Sequence, residues 1–148
     1  MSRIIIVCAF AAIFTMPAKA QSLKDQLIGA WALVSCDGRA FPFTVALCTN
    51  PNGIHILDAS GHFMTIHAAR GRPKFPNFTS PEEYKAAAVD FRANFGTWSV
   101  NEADKTITYH FDGALLPSLE GTDAKSPAVS VSKDELKIGS NVWRRIRN

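Results

Sequence analysis

Charge is scarce in this sequence. Asp, Glu, Lys and Arg make up 20% of its 148 residues, against 47% apolar residues. A chain so composed is not intrinsically disordered, and at this length it is one globular domain, not a multidomain enzyme or a coiled coil. Internal repeats and low-complexity tracts are absent, which excludes solenoids and propellers. No acidic pair, nucleophile constellation or phosphate-binding glycine loop is present. Gly113 and Gly121 fit no phosphate-binding spacing, and Ser60-Gly61-His62 lacks the pattern of a nucleophilic serine. Cysteine is rare, at three residues, and no histidine or further cysteine lies at zinc-ligand spacing. Catalytic residues, a metal and a cofactor are therefore not expected.

Long apolar runs are also missing, with one exception. Residues 4–16 are apolar apart from Thr15, follow Arg3, and precede Ala18-Lys19-Ala20. A basic start, a short apolar run and small residues at the cleavage positions describe a secretory signal peptide. The run is too short to span a bilayer comfortably. The expectation is a signal over residues 1–20, cleavage after Ala20, and a periplasmic or secreted fate, with no stable membrane insertion. The formal charge of +3 then loses its meaning. Of 16 basic residues, Arg3 and Lys19 fall in the signal, leaving 14 against 13 acidic ones. A nearly neutral, exported domain over residues 21–148 is not a nucleic-acid partner, although Arg70, Arg72, Lys74, Phe75 and Phe78 interleave basic and aromatic side chains in one loop. Cys36 and Cys48 remain after cleavage, an even count that predicts a disulfide in an oxidising compartment.

What is present is a series of short apolar runs broken by turn signals, the pattern of an all-β domain. Strands are expected over 27–36, 53–57, 62–69, 96–101, 105–111, 127–132, 135–138 and 141–147, with an irregular ninth over 115–121 around Pro117. Eight or nine consecutive antiparallel strands are most economically closed into a barrel, which removes exposed edges, with a sandwich as the alternative. One helix interrupts them. Ser80-Pro81-Glu82-Glu83 is a capping box with proline at the first position. Tyr84, Ala87, Ala88, Phe91 and Phe95 then form a helical stripe, predicting about 13 residues over 81–94.

These segments resemble the bacterial lipocalin-like domain family. The resemblance rests on Leu27-Ile28-Gly29-Ala30-Trp31, Asn52-Gly53, Arg72-Pro73-Lys74-Phe75, Glu82-Glu83-Tyr84, Phe95-Gly96-Thr97-Trp98, Gly121-Thr122 and Val142-Trp143-Arg144-Arg145. It implies an up-and-down barrel with an internal cavity for a small ligand. It also implies that Trp31 plugs one end beneath an arginine of the last strand, Arg144 or Arg145. Two features depart from the family pattern. Asp123-Ala124-Lys125-Ser126 stands where an arginine often follows Gly-Thr, and the Cys36/Cys48 pair is not a family-wide feature.

The expected ligand is small and largely apolar, with Phe63, Met64, Trp98, Tyr109 and His110 as candidate pocket residues and Arg70 at the rim. Alternation leaves the inner face open: Thr106, Thr108 and His110 share one side of their strand, and Ile107, Tyr109 and Phe111 the other. Likewise His62, Met64 and Ile66 oppose Phe63, Thr65 and His67. The four histidines read as exposed or hydrogen-bonded strand residues, with His110 the best exception. Two other readings stand beside ligand binding: a small cyclase- or isomerase-type enzyme using His110 or Tyr109, and a protein-interaction or inhibitor barrel.

Overall fold

The computed structural model describes residues 21–38, 45–77 and 79–147, with Val45 described in its backbone only. The expected signal peptide and Phe78 lie outside these residues.

The described chain begins with a helix of five residues, α1 (Leu23–Leu27). So short a helix cannot hold itself together. Ser22 caps it by accepting from the Asp25 amide at 3.0 Å. The Glu102 carboxylate, from a distant turn, accepts from the amides of Leu23 and Lys24 at 3.0 and 3.1 Å. These bonds satisfy the amides that every helix start leaves open. α1 ends on the fully buried Leu27 and leads into β1 (Gly29–Ser35).

Eight further strands follow: β2 (Gly53–Leu57), β3 (His62–Ala68), β4 (Phe91–Asn101), β5 (Thr106–Ala114), β6 (Asp123–Lys125), β7 (Val129–Val131), β8 (Glu135–Ile138) and β9 (Asn141–Arg145). They form one antiparallel sheet in the order β6-β5-β4-β3-β2-β1-β9-β8-β7. Its two edge strands are neighbours in the chain. Between them, Ser126 N–H donates to the Ile107 carbonyl at 2.8 Å and Val129 N–H to that of Lys105 at 2.7 Å. The segment around Pro127 thus passes from β5 to β8, and the sheet curls into a barrel. The all-β, up-and-down architecture expected from the sequence is the one observed.

The helix over 81–94 needs correction. It is α3 (Pro81–Ala88), preceded by the short α2 (Val45–Thr49) that the sequence pattern did not reveal. The capping box is present, with Ser80 Oγ accepting from Glu83 N–H at 3.2 Å and the Glu83 carboxylate accepting from Ser80 N–H at 3.0 Å. The helix stops six residues early and its stripe covers no core: no residue of α3 is buried, and Tyr84 is 59% exposed. Phe91 to Phe95 instead pair with five residues of β3, from Ala68↔Phe91 to Met64↔Phe95. A ladder against β3 satisfies main-chain groups and places alternate side chains inward, which an unpacked helical turn does not. Arg72 marks the changeover, donating to the Ala87 carbonyl and lying over the Phe91 ring.

Gly96 serves the sheet. It pairs with Phe111 while Phe95 pairs with Gly113, so Asp112 is an extra residue in β5. A Cβ on Gly96 would lie 1.9 Å from the His110 carbonyl oxygen, so only glycine permits this approach.

The structure resolves which faces turn inward. Phe63, Thr65 and His67 of β3 are buried, whereas His62 and Met64 are exposed. On β5, Ile107 and Phe111 are buried and His110 is exposed. Burial of the larger apolar side chains decides the choice. Because strands alternate in direction, the connections after β2, β4 and β7 gather with α1 at one end. The longer ones after β1, β3 and β5 gather at the other, the mouth. There a disulfide joins Cys36, just beyond β1, to Cys48 of α2, with a Cα–Cα distance of 5.2 Å.

The end carrying α1 is sealed. Trp31 is fully buried and its Nε1–H donates to the Leu27 carbonyl at 2.9 Å. The Arg145 guanidinium lies 3.9 Å from the centroid of the Trp31 ring. It donates to the carbonyls of Gln26, Ile28 and Lys133 at 2.6, 2.8 and 2.8 Å. Arg144, the other arginine considered for this position, is exposed on the outer face of β9.

Candidate functional site

Above the sealed core, the barrel holds an open pocket of about 140 Å³ lined by residues of six strands. His55 comes from β2, Phe63, Thr65 and His67 from β3, and Asn94 from β4. Tyr109 and Phe111 come from β5, Ile138 from β8, and Asn141 and Trp143 from β9. Register explains the gathering. His55 pairs directly with Thr65, and Thr65 with Asn94, so inward positions at one level of the barrel meet across adjacent strands.

His55 is the centre of the polar network. It is 3% exposed, with Nδ1 2.6 Å from Thr65 Oγ1 and Nε2 3.2 Å from Tyr109 Oη. A neutral imidazole has one donor and one acceptor nitrogen, so one hydroxyl donates to the ring and the other accepts. Aromatic rings pack round it. The Trp143 centroid lies 5.4 Å from that of His55 and 5.2 Å from that of His67. Phe63 meets Tyr109 edge-on at 4.9 Å and Phe111 at 5.7 Å.

This enclosure removes charge. Burial, helped by the neighbouring His67, pushes His55 down to about 3. Burial again, then the nearby Arg92, pushes His67 down to about 4. Burial pushes the Tyr109 hydroxyl upward. Desolvation disfavours whichever form is charged, so all three groups are neutral at pH 7. Two further polar atoms, Trp143 Nε1 and Asn141 Oδ1, are buried with no hydrogen-bond partner among the described residues. Among those residues no three His, Cys, Asp or Glu side chains group as a metal site.

Of the candidate residues read from the sequence, Phe63 and Tyr109 line this cavity. Met64 lies on the outer face of the same strand as Phe63 and is 40% exposed. His110 is also on the outer face, with Nδ1 2.7 Å from Asp123 Oδ1 and Nε2 3.8 Å from Asp112. Trp98 is buried in the core and donates to the Asp58 carbonyl at 3.2 Å. Arg70 lines a separate depression of about 440 Å³ between the 69–73 segment and α3. Sequence reasoning missed His55, Thr65, His67 and Asn94, and also Phe111, Ile138, Asn141 and Trp143. One signal was available: Thr65 and His67 share the face of Phe63, the bulkiest apolar residue of that strand.

The model of the lipocalin-like domain family matches residues 28–144. The chain belongs to that family. Its lipocalin-like barrel accounts for both ends of the molecule, the sealed one beneath Arg145 and the one that opens toward the disulfide. No curated protein matches the chain. The lipocalin-like strand that follows Gly121-Thr122, β6, is wholly exposed and gives no side chain to the cavity. No helix among the described residues is long and apolar enough to cross a membrane.

Proposed function

We propose that this lipocalin-like protein is an exported carrier or receptor for a small, uncharged, largely apolar molecule held in the barrel cavity. The observation that carries the proposal is an aromatic-walled pocket in the barrel whose two histidines are held neutral. Such a space favours neutral ligands, since a bound charge would lose its hydration without gaining a counter-ion. Phe63 and Tyr109 are the ligand-binding residues read from the sequence that supply its walls; Arg70, Met64, Trp98 and His110 do not line it. The apolar run of residues 4–16 and the Cys36–Cys48 disulfide both support cleavage after Ala20 and export.

The Thr65–His55–Tyr109 chain favours a second reading, acid–base catalysis of an isomerase or cyclase type. An acid–base group works best with a pKa near the operating pH. His55 at about 3 and Tyr109 pushed upward lie on opposite sides of that value, so binding is the better supported reading.

Native mass spectrometry of protein isolated from its own host tests the proposal. The expected result is a co-purifying small molecule that is lost on denaturation and is not recovered with a Phe63→Trp variant. A clean ligand-free mass, together with no fluorescence response to apolar probes, would overturn it. N-terminal sequencing of the exported form is expected to begin at Gln21; a chain retained in the cell with residues 1–20 intact would overturn export.

A further inference from the structure

We infer that the protein forms a two-fold dimer through an apolar band beside the barrel mouth. The outer wall of β4 makes one half of this band and the exposed face of α3 the other.

The band is assembled from separate parts of the chain. Of eight large apolar side chains left exposed among the described residues, six belong to it: Met64, Tyr84, Val89, Phe95, Leu115 and Leu116. Register and contacts join them. Met64 of β3 pairs with Phe95 of β4 on the outer face. The Phe95 ring extends over Gly113 of β5, where a Cβ would lie 2.5 Å from it. Leu115 N–H donates to the Ala93 carbonyl at 2.8 Å, which sets Leu115 beside β4. Leu115 and Leu116 then share a depression with Ala88 of α3. Tyr84 stands one turn before Ala88, and Val89 follows it directly.

Two observations call for a cover. The first is α3 itself. Eight residues are too few to hold a helix in water, and helices gain most of their stability by burying an apolar face. None of α3 is buried, so its stripe finds no surface of its own chain to cover. The second is size. Tyr84 and Phe95 are 59% and 55% exposed and the other four side chains 40–49%, which gives an apolar patch on the order of 500 Å², as large as such patches on monomers become. With a polar rim it reaches the roughly 800 Å² that a standard interface takes from each partner.

Charge identifies the occupant as a second copy. Asp112 and Glu120 flank the sheet half, beside Phe95 and Leu115. At the helix half, Val89 borders the depression in which Arg70, Arg72 and Lys85 outnumber Glu82 and Asp90. A two-fold axis through the band lays the acidic flank of one copy against the basic flank of the other, twice over. Opposite charges that face each other fix the register of such a pairing. An anionic lipid surface would attract one flank and repel the other.

Sedimentation velocity of the oxidised, exported protein from micromolar to millimolar concentration tests this. The expected species is a dimer. Phe95→Asp is expected to sediment as a monomer with unchanged circular dichroism, because that side chain lies outside the core. Lys85→Glu and Glu120→Lys are each expected to weaken the dimer about tenfold by setting like charges face to face, and the double variant to restore it. Should Phe95→Asp fail to fold, the exposed Lys85 and Glu120 decide. A monomer throughout the range, a dimer indifferent to all three substitutions, or losses that the double variant does not recover would overturn the inference. So would a monomer that co-sediments with phosphatidylglycerol vesicles, which would assign the band to a membrane.

Discussion

At the sealed end of the barrel, Arg145 covers Trp31 and donates to three carbonyls from two separate segments, while Glu102 caps the helix beneath. At the mouth, Val89, Leu115 and Leu116 are exposed, α3 buries none of its residues, and a disulfide ties one connection down. The same sheet therefore ends in two kinds of structure. One end is fixed by side chains that each serve several partners, and the other is left with few tertiary contacts. Low local stability is where openings that admit ligands are expected. The cavity lies between them, close enough to the rigid end to have defined walls.

Substitutions rank these regions. Trp31→Ala removes a fully buried indole and leaves Arg145 above a void, so a loss of about 3–5 kcal/mol is expected in chemical denaturation. A loss below about 1 kcal/mol would break the comparison at its strong end. Reducing the Cys36–Cys48 bond should cost less, about 2–3 kcal/mol, because a loop with a sequence separation of 12 is short. If reduction proves costlier than Trp31→Ala, the mouth is the stabilising end and the contrast reverses.

Acidification probes the region between. The unfolded histidines titrate near pH 6.5, whereas His55 and His67 are held at about 3 and 4 when folded. Between those values the unfolded chain binds more protons than the folded one, so stability falls as the pH is lowered from about 6.5 toward 4. The steepest slope is about 1.4 kcal/mol per pH unit for each ring. Denaturation curves at several pH values, repeated with His67→Gln, should show a shallower slope in the variant. An unchanged slope would mean that His67 does not carry the effect. The smallest effect is expected on the outer wall. His110→Ala breaks an exposed pair with Asp123 and should change stability by less than about 1 kcal/mol, with no change in ligand affinity. A loss of affinity there would place the binding site outside the barrel.

Most strands and the disulfide were legible in the sequence because alternation, turn dipeptides and an even cysteine count are local signals; the irregular strand expected over 115–121 is instead a 3-10 turn at Pro117–Leu119, followed by the unexpected β6. The family resemblance had the same source, in short segments kept in order. The cavity was not legible. Alternation divides Thr108 and His110 from Tyr109 and Phe111 without saying which pair faces inward, and the extra residue at Asp112 shifts the phase within β5. Asn141 and Trp143 meet His55 and His67 only through the pairing of β9 with β1, a contact between the two termini of the domain. α1 escaped notice because five residues are too few for a stripe, and beside its local Ser22 cap it leans on Glu102, 79 residues away from Leu23. The helix stripe misled because spacing alone cannot show that a stripe has no surface to cover.

The passage of the chain at Pro127 from β5 to β8 gives the barrel wall a slit. Before that proline β6 is bonded to β5 alone, and after it β7 is bonded to β8, so no ladder joins β6 to the other edge of the sheet among the described residues. Ile138 and Asn141, which line the cavity, stand on the β8–β9 side of this gap. A cylinder split along part of its length can spread without breaking any of its rungs. The dimensions of the largest admissible guest are then set by how its side chains yield along the slit, not by the hydrogen-bonded hoop of the sheet.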